Sequence, residues 1–261
     1  MSATETVLIT GASSGIGLEL ARCFAADGCR LILIARNTEA LEKLADELRL
    51  QNKIEAIVLT ADLSLPQTPK QIFEKLSAQK IAVDVLVNNA GFGAHGAFAE
   101  MSLPWQLEML QVNITALTEL TGLFLPGMMA RRRGGILNVG SVAGFQPGPG
   151  MTVYYATKAY VLSFTEALAE ELRGTGLQVS ALCPGPTATN FGTVARGQRT
   201  RKLQTQKMSA ATVAIYGHRA FRNGKLLAVP GLSNRLLIFL SRITPRWLPR
   251  KAVKFYNRTK D

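Results

Sequence analysis

The chain is poor in the residues that build metal centres and disulfide scaffolds. Its 261 residues include only three cysteines, Cys23, Cys29 and Cys183. The number is odd and no C-x-x-C spacing occurs, so neither a disulfide framework nor a zinc site is expected. Two histidines, His95 and His218, are too few and too far apart for a histidine-rich site, and no metal is expected. No apolar run approaches eighteen residues, so no membrane-spanning helix is expected. The opening stretch, "MSATETVLIT", has neither a basic n-region nor a long apolar h-region. A secretory signal is therefore not expected, and a reducing cytoplasmic setting fits best. In that setting the sequons at Asn113 and Asn257 carry no meaning. Acids are scarce at one end. Residues 195–261 hold 16 of the 30 Lys/Arg and one acid, Asp261, whereas residues 1–194 hold 14 Lys/Arg and 17 acids. The overall charge of +12 thus belongs to the last quarter of the chain.

With 47% hydrophobic residues, the chain can bury one sizeable core. Short aliphatic or β-branched runs recur at 7–10, 31–35, 54–59, 83–87, 136–140, 177–182 and 225–229. Helix-length segments lie between them at 16–27, 38–49, 69–79, 105–131, 153–173 and 209–222. Leu41, Leu44, Ala45 and Leu48 recur at i, i+3, i+4 and i+7, one face of a helix. Strands that are apolar almost throughout belong to a sheet covered on both faces. The alternation predicts an α/β fold, a doubly wound parallel sheet with helices on both faces.

In such sheets ligands bind beyond the carboxyl ends of the strands. After the first run comes "TGASSGIG", with Gly11, Gly15 and Gly17 between a strand and a helix. Glycines there allow a tight turn and a close approach of backbone to phosphate, and the helix N-terminus adds N–H donors. After the second run comes Arg36, where folds that prefer NAD place an acid for the ribose 2′-hydroxyl. An arginine suits a 2′-phosphate instead, which points to NADP over NAD. Asp62 follows the third run. It can accept from an adenine amino group or cap a turn, and both readings stand. "NNAG", Asn88 to Gly91, follows the fourth. Asn88 is read equally as a backbone-bonding residue or a ligand contact, while Asn89, Ala90 and Gly91 offer a small-residue floor. Ser141 follows the fifth, as a cleft hydroxyl or a plain turn residue. The sixth leads into "CPGPTAT", with Pro184, Gly185, Thr187 and Thr189, a rigid exit whose threonines can bond an amide.

"YYATK", residues 154–158, sets Tyr154 and Tyr155 four and three residues before Lys158. Both spacings share a helix face. An ammonium beside a phenol is expected to lower its pKa. Spacing alone does not choose between the two tyrosines.

"TGASSGIG", Asp62, "NNAG", Asn113, Ser141, "YYATK" and "PGPTAT", in this order over roughly residues 4–230, resemble the short-chain dehydrogenase/reductase family. The resemblance implies a single Rossmann-type sheet of about seven parallel strands, a nicotinamide cofactor and carbonyl/alcohol chemistry, with a homo-oligomer expected. It also chooses the tyrosine. The family's lies four before the lysine and thirteen after the serine, which is Tyr154; Tyr155 becomes a packing or pocket-wall residue. The resemblance implies that Ser141 holds the substrate oxygen, Tyr154 exchanges its proton, Lys158 lowers the tyrosine pKa and binds the nicotinamide ribose, and Asn113 serves a proton relay. The implied cofactor contacts are Gly11, Ser13, Ser14, Gly15, Ile16, Gly17, Arg36, Asp62, Leu63, Asn89, Ala90, Gly91, Tyr154, Lys158, Pro184, Gly185, Thr187 and Thr189. Some NADP-using members carry a basic residue where this chain has Ser14, which leaves Arg36 to recognise the 2′-phosphate mostly alone.

Substrate choice is expected to lie in residues 92–104 and in the basic, lid-like segment 190–208. Basic residues over an apolar pocket suit an acyl thioester, with a sterol-like or other lipophilic ketone as the alternative. A non-catalytic NADP-binding sensor or scaffold is the rival reading. The reductase domain is expected over 1–231 and a basic amphipathic extension over 232–261. In that extension Leu232, Leu236, Phe239, Leu240 and Ile243 share a helix face, Pro245 ends the helix and Pro249 starts a second. The extension's face either packs on the domain or across a dimer, or docks on an anionic membrane. Nucleic acid is a weak third reading, because phosphate contacts need less aliphatic surface.

Overall fold

All five residues of strand β1 (Thr6–Thr10) are buried, because the parallel sheet built around it is covered on both faces. The structure, a computed structural model, describes residues 4–189 and 208–257. After β1 come α1 (Gly15–Ala26), β2 (Arg30–Ala35), α2 (Thr38–Asn52), β3 (Ala56–Thr60), α3 (Thr68–Ala78) and β4 (Val85–Asn88). Next are α4 (Leu103–Leu110), a π turn (Gln111–Thr115), α5 (Ala116–Arg131), β5 (Gly135–Val139), a 3-10 turn (Val142–Phe145), α6 (Thr152–Glu171) and β6 (Gln178–Leu182). The two-residue strands β7 (Thr187–Ala188) and β8 (Met208–Ser209) pair with each other. Helix α7 (Ala210–Arg222), β9 (Leu227–Ala228), α8 (Leu232–Ile243) and α9 (Trp247–Tyr256) complete the described chain.

Among the described residues the main sheet has seven parallel strands in the order β3-β2-β1-β4-β5-β6-β9. This is the doubly wound α/β arrangement expected from the alternating runs. Successive side chains of one strand feed opposite layers. Val7 and Ile9 join the core with Leu20 and Phe24 of α1, whereas Leu8 joins the core with Leu120 and Phe124 of α5. The strand order reverses between β1 and β4, so the cleft opens above their carboxyl ends.

Four local expectations are corrected, and one of the alternatives for the extension is narrowed. The single helix expected over 105–131 is broken at residues 111–115, where Ala116 N–H bonds Gln111 O in π fashion. A one-residue widening barely disturbs apolar periodicity, so a pattern of period 3.6 does not detect it. The third strand starts at Ala56 rather than at residue 54, and the seventh shrinks to the two residues that pair with β6. Helix α9 begins at Trp247, two residues before Pro249, which fits in the first turn because N–H groups there need no helical partner. The apolar stripe of α8 does not pack on the domain: Leu232, Leu236, Phe239, Leu240 and Ile243 are all exposed.

"RRRGG" at the end of α5 is a helix stop, as its composition implies. Arg132 takes φ +51°, and Gly134 takes φ +111° where a Cβ would collide with Asp84 O. Arg133 pairs with Asp84 at 2.9 Å, and the same carboxylate accepts from Thr6 N–H at 3.0 Å. These cations therefore hold the edge of the sheet opposite the cleft.

The C-terminal helices meet the domain at few points. Ile238 of α8 and Val253 of α9 are buried, and so is Asn257 just after α9. Asn257 Nδ2 donates to Pro149 O at 2.9 Å, its side chain bonds the Tyr155 phenol, and its carbonyl accepts from His95 Nε2–H at 2.7 Å. Because that acceptor is a carbonyl, His95 carries its proton on Nε2. Asn257→Ala removes the two side-chain contacts and leaves the backbone one. A lost buried hydrogen bond costs about 1–2 kcal/mol, so the melting temperature should fall by roughly 2–6 °C in a thermal unfolding scan. An unchanged melting temperature would show that the latch does not hold the tail.

Candidate active site

The turn after β1 is shaped by close contacts that only glycine permits. Gly11 and Gly15 take φ +66° and +59°, and a Cβ on Gly17 would collide with Gly11 O and Asn89 Nδ2. Asn89 binds this turn from across the sheet: its Nδ2 donates to Thr10 O at 2.9 Å and Gly11 O at 3.2 Å. The Thr10 hydroxyl accepts from both Asn89 N–H and Ala90 N–H at 3.0 Å. The Asn89 side chain is thus a clamp on the glycine turn. Ser14 stands at the N-cap of α1 without a side-chain capping bond, so the helix's first N–H groups stay available to an anion. Ser13, Gly15 and Ile16 lie partly open on the same turn.

At the end of β2, Arg36 is 61% exposed and reaches Glu108 of α4 only at 3.9 Å. Asn37 next to it caps α2 through Ala40 N–H. Asp62 takes the capping alternative: its Oδ1 accepts from Ser64 N–H at 2.9 Å, and Leu63 beside it is buried. Asn88 proves structural. It is buried and donates to Thr121 and Asn138, and Asn138 passes the chain on to Thr165, all between α5 and α6.

Beyond β5 the structure brings Ser141, Tyr154, Lys158, Asn113 and Gly91 together. Ser141 Oγ accepts from Ala143 N–H at 3.1 Å and bonds the Tyr154 phenol. Tyr154 and Lys158 rise one turn apart on α6, and Lys158 Nζ lies 5.9 Å from the Tyr154 ring centre. Nζ donates to Val139 O at 2.8 Å, and Lys158 is 5% exposed. A Cβ on Gly91 would sit 3.0 Å from Asn113 Oδ1 and 3.6 Å from Nζ, so glycine keeps this floor open. Asn113, in the π turn, bonds the Phe92 backbone in both directions and donates to Thr157 at 3.0 Å. Its amide is committed to protein partners. It pins the segment after β4 to α6.

The electrostatics differ from the expectation that Lys158 lowers the tyrosine pKa. Burial pushes the Tyr154 phenol up to about 12, with the Ser141 hydrogen bond opposing, although the residue as a whole is only partly buried. Burial also pulls Lys158 down to about 8. Without a ligand, desolvation outweighs the lysine's help, because its ammonium points to Val139 O. Cys183 supplies no compensating anion: burial pushes its thiol up to about 12. Tyr155 packs its ring onto Gly148 and bonds Asn257, as suits a wall residue.

The exit after β6 closes over the glycine turn. Thr189 Cγ2 would lie 3.1 Å from a Cβ on Gly15, and Thr187 Oγ1 donates to Gly185 O at 2.9 Å. Pro184 O lies 3.4 Å from Ser141 Oγ. A Cβ on Gly185 would meet the Asn234 amide of α8. The lid expected at 190–208 lies outside the described residues except for Met208. Several site-shaping residues escaped the sequence reading: Thr10, Thr157, Asn234 and Asn257. Thr10 had a signal, a hydroxyl residue at a strand's last position before the glycine turn. Asn234 and Asn257 had none, because their partners lie 49 and 108 residues away in the chain.

Residues 5–200 match the model of the short chain dehydrogenase family. A short chain dehydrogenase of Pseudocercospora fijiensis is 35% identical over 192 residues, 72% of this chain and 61% of its own. The ketoacyl reductase HetN of Nostoc sp. is 34% identical over 181 residues, 69% of this chain and 63% of its own. The chain thus spans less than two thirds of the length of these two relatives. The very-long-chain 3-oxoacyl-CoA reductase of Rattus norvegicus is 29% identical over 265 residues, 98% of this chain and 80% of its own. Among solved structures, the short-chain dehydrogenase from Sphingobium yanoikuyae in complex with NADPH superposes with a TM-score of 0.82 at 33% identity, covering 91% of this chain and 93% of that one. A short chain dehydrogenase/reductase from Burkholderia phymatum in complex with NAD gives 0.81 at 26% identity, covering 99% and 97%. The family model matches well over half of the sequence, and the chain belongs to the short-chain dehydrogenase/reductase family.

Proposed function

We propose that the protein is an NADP(H)-dependent oxidoreductase that interconverts a carbonyl and a secondary alcohol, with residues 1–231 as the reductase domain and 232–261 as an extension. The observation that carries this reading is the bonded Ser141–Tyr154 hydroxyl pair beside the buried ammonium of Lys158. A sensor or scaffold has no use for a buried, unpaired cation beside two hydroxyls. The cofactor fits the residues present: the cradle at Gly11, Gly15 and Gly17, the uncapped first turn of α1 and the exposed guanidinium of Arg36. When bound, it supplies or accepts the hydride. Ser141 orients the substrate oxygen, and Tyr154 Oη gives that oxygen its proton in reduction or removes it in oxidation. Lys158 stabilises the phenolate left behind and orients the ribose. Tyr154 and Trp105 pack, partly buried, against an apolar cluster of Phe92, Met109 and Val153, and these apolar surroundings favour a lipophilic or acyl substrate. The ketoacyl and 3-oxoacyl names of two relatives point the same way. The setting proposed is the cytoplasm, and the assembly a homo-oligomer.

NADPH oxidation against a panel of ketones that includes 3-oxoacyl thioesters tests the reading. Tyr154→Phe should abolish reduction with NADPH binding intact, and Tyr155→Phe should keep much of the activity. The reverse pattern would overturn the assignment.

Arg36→Ala should narrow the preference for NADPH over NADH by about ten- to a hundredfold, mainly by weakening NADPH, since a charge-assisted contact contributes about 1.5–3 kcal/mol. Equal use of both cofactors by the unmutated chain would contradict the NADP reading.

Lys158→Met should abolish activity and yet stabilise the fold. The lysine pKa falls from 10.5 to about 8 on folding, so below pH 8 the folded state carries the full cost of a buried charge. Less the lost bond to Val139 O, the gain at pH 7 should be roughly 2 kcal/mol. It should shrink as pH rises from about 8 to 10.5 and turn into a small loss above, where no charge cost remains to offset the missing bond to Val139 O. Denaturant unfolding at several pH values reads it, and destabilisation at pH 7 would contradict it.

A further inference from the structure

Ten of the nineteen large apolar side chains that the described surface exposes lie on α8 and α9. An exposed apolar set of this extent marks an interaction surface. Its arrangement is directional. Helix α8 touches the body through Ile238, and on a period of 3.6 residues the stripe of Leu232, Leu236, Phe239, Leu240 and Ile243 lies on the opposite side. Helix α9 is seated through Val253, and Trp247 and Phe255 turn outward. Cations interleave with these apolar groups. Arg242, Arg246, Arg250, Lys251 and Lys254 have no carboxylate partner among the described residues, and no acid occurs between residues 232 and 257. Lys251 Nζ lies 5.2 Å from the Trp247 ring centre, a cation beside an aromatic on the outward face.

We propose that the outward face of α8 and α9 is a docking surface for an anionic lipid bilayer. The charge decides the occupant. A second copy related by a two-fold axis would bring the same unpaired cations against these, which is repulsive. An anionic bilayer offers the complementary sign together with an apolar layer for the aliphatic stripe. Each basic residue near such a surface contributes about 1 kcal/mol, and tryptophan favours the interface. The surface is held in place by the body. Asn234 Nδ2 donates to Pro230 O at 2.7 Å and stacks on Gly185, Arg235 Nε donates to Val229 O at 3.0 Å, and Asn257 latches onto His95 and Pro149. Gly185 and His95 belong to the segments after β6 and β4 that border the cleft. A docked tail therefore brings the cleft mouth to the bilayer, where a lipophilic substrate resides. That last step rests on the reductase reading; the docking does not.

The test is co-sedimentation of the full chain with phosphatidylcholine vesicles with and without phosphatidylserine, at low and high salt, beside light scattering of the free protein. Docking predicts binding to the phosphatidylserine vesicles that high salt weakens. The double variant Lys251→Glu/Lys254→Glu should lose more than tenfold in affinity, and Phe239→Ser should bind more weakly at both salt levels. Both variants should keep the unmutated circular dichroism spectrum and NADPH oxidation rate. No vesicle binding, equal binding to neutral and anionic vesicles, or a dimer in solution that Phe239→Ser dissociates would overturn the proposal. Because vesicle binding is read without substrate, a failure of the reductase reading leaves this result standing.

Discussion

The lysine ammonium at position 158 is buried with no anion beside it, and much of the structure serves to hold it there. Its hydrogen bond goes to Val139 O at the carboxyl end of β5, and the thiol of Cys183 stays neutral nearby. Such a group is costly to the fold, since burial alone lowers its pKa to about 8. The doubly wound sheet makes it possible. Two apolar layers fix α6 over β5 and β6, so the fourth residue after Tyr154 has one place to go. The same geometry brings Ser141 onto the Tyr154 phenol and leaves little room for a side chain at Gly91, where a Cβ would sit 3.0 Å from Asn113 Oδ1.

Around this point the polar groups divide into those that hold the cleft and those free to act in it. Asn88, Asn89, Asn113 and Asn138 are all engaged with protein partners, and each ties one strand end or helix to its neighbour. Arg36 is mostly exposed, with Glu108 only at 3.9 Å, and the first N–H groups of α1 have no side-chain cap. The division follows from burial. The amides within the sheet layers place their N–H groups on protein acceptors, whereas a group at the cleft edge can wait for a ligand. Tyr154 lies between the two classes, satisfied by Ser141 and still partly open.

How much of this was legible in the sequence depends on how local each signal is. The parallel sheet of about seven strands followed from short, almost wholly apolar runs alternating with helix-length segments, a local signal. Ser141, Tyr154 and Lys158 were legible because fixed spacings on one strand end and one helix carry them. The π turn at residues 111–115 was not, since one extra residue per turn leaves the apolar pattern nearly unchanged. The sense of the Tyr154 shift was missed because a spacing shows which groups are near and says nothing of the water removed around them. The role of Asn257 was invisible for another reason: its partners, Pro149 and His95, are 108 and 162 residues away, and no local pattern encodes them.

The central claim is that the fold buries an uncompensated cation beside the Ser141–Tyr154 pair. The most direct measurement is an NMR titration of the lysine side-chain resonances of the full chain, with Lys158 assigned by its loss in Lys158→Met. Its resonance should titrate near pH 8. A Lys158 resonance that titrates near 10.5, the value of a free lysine, would contradict the account.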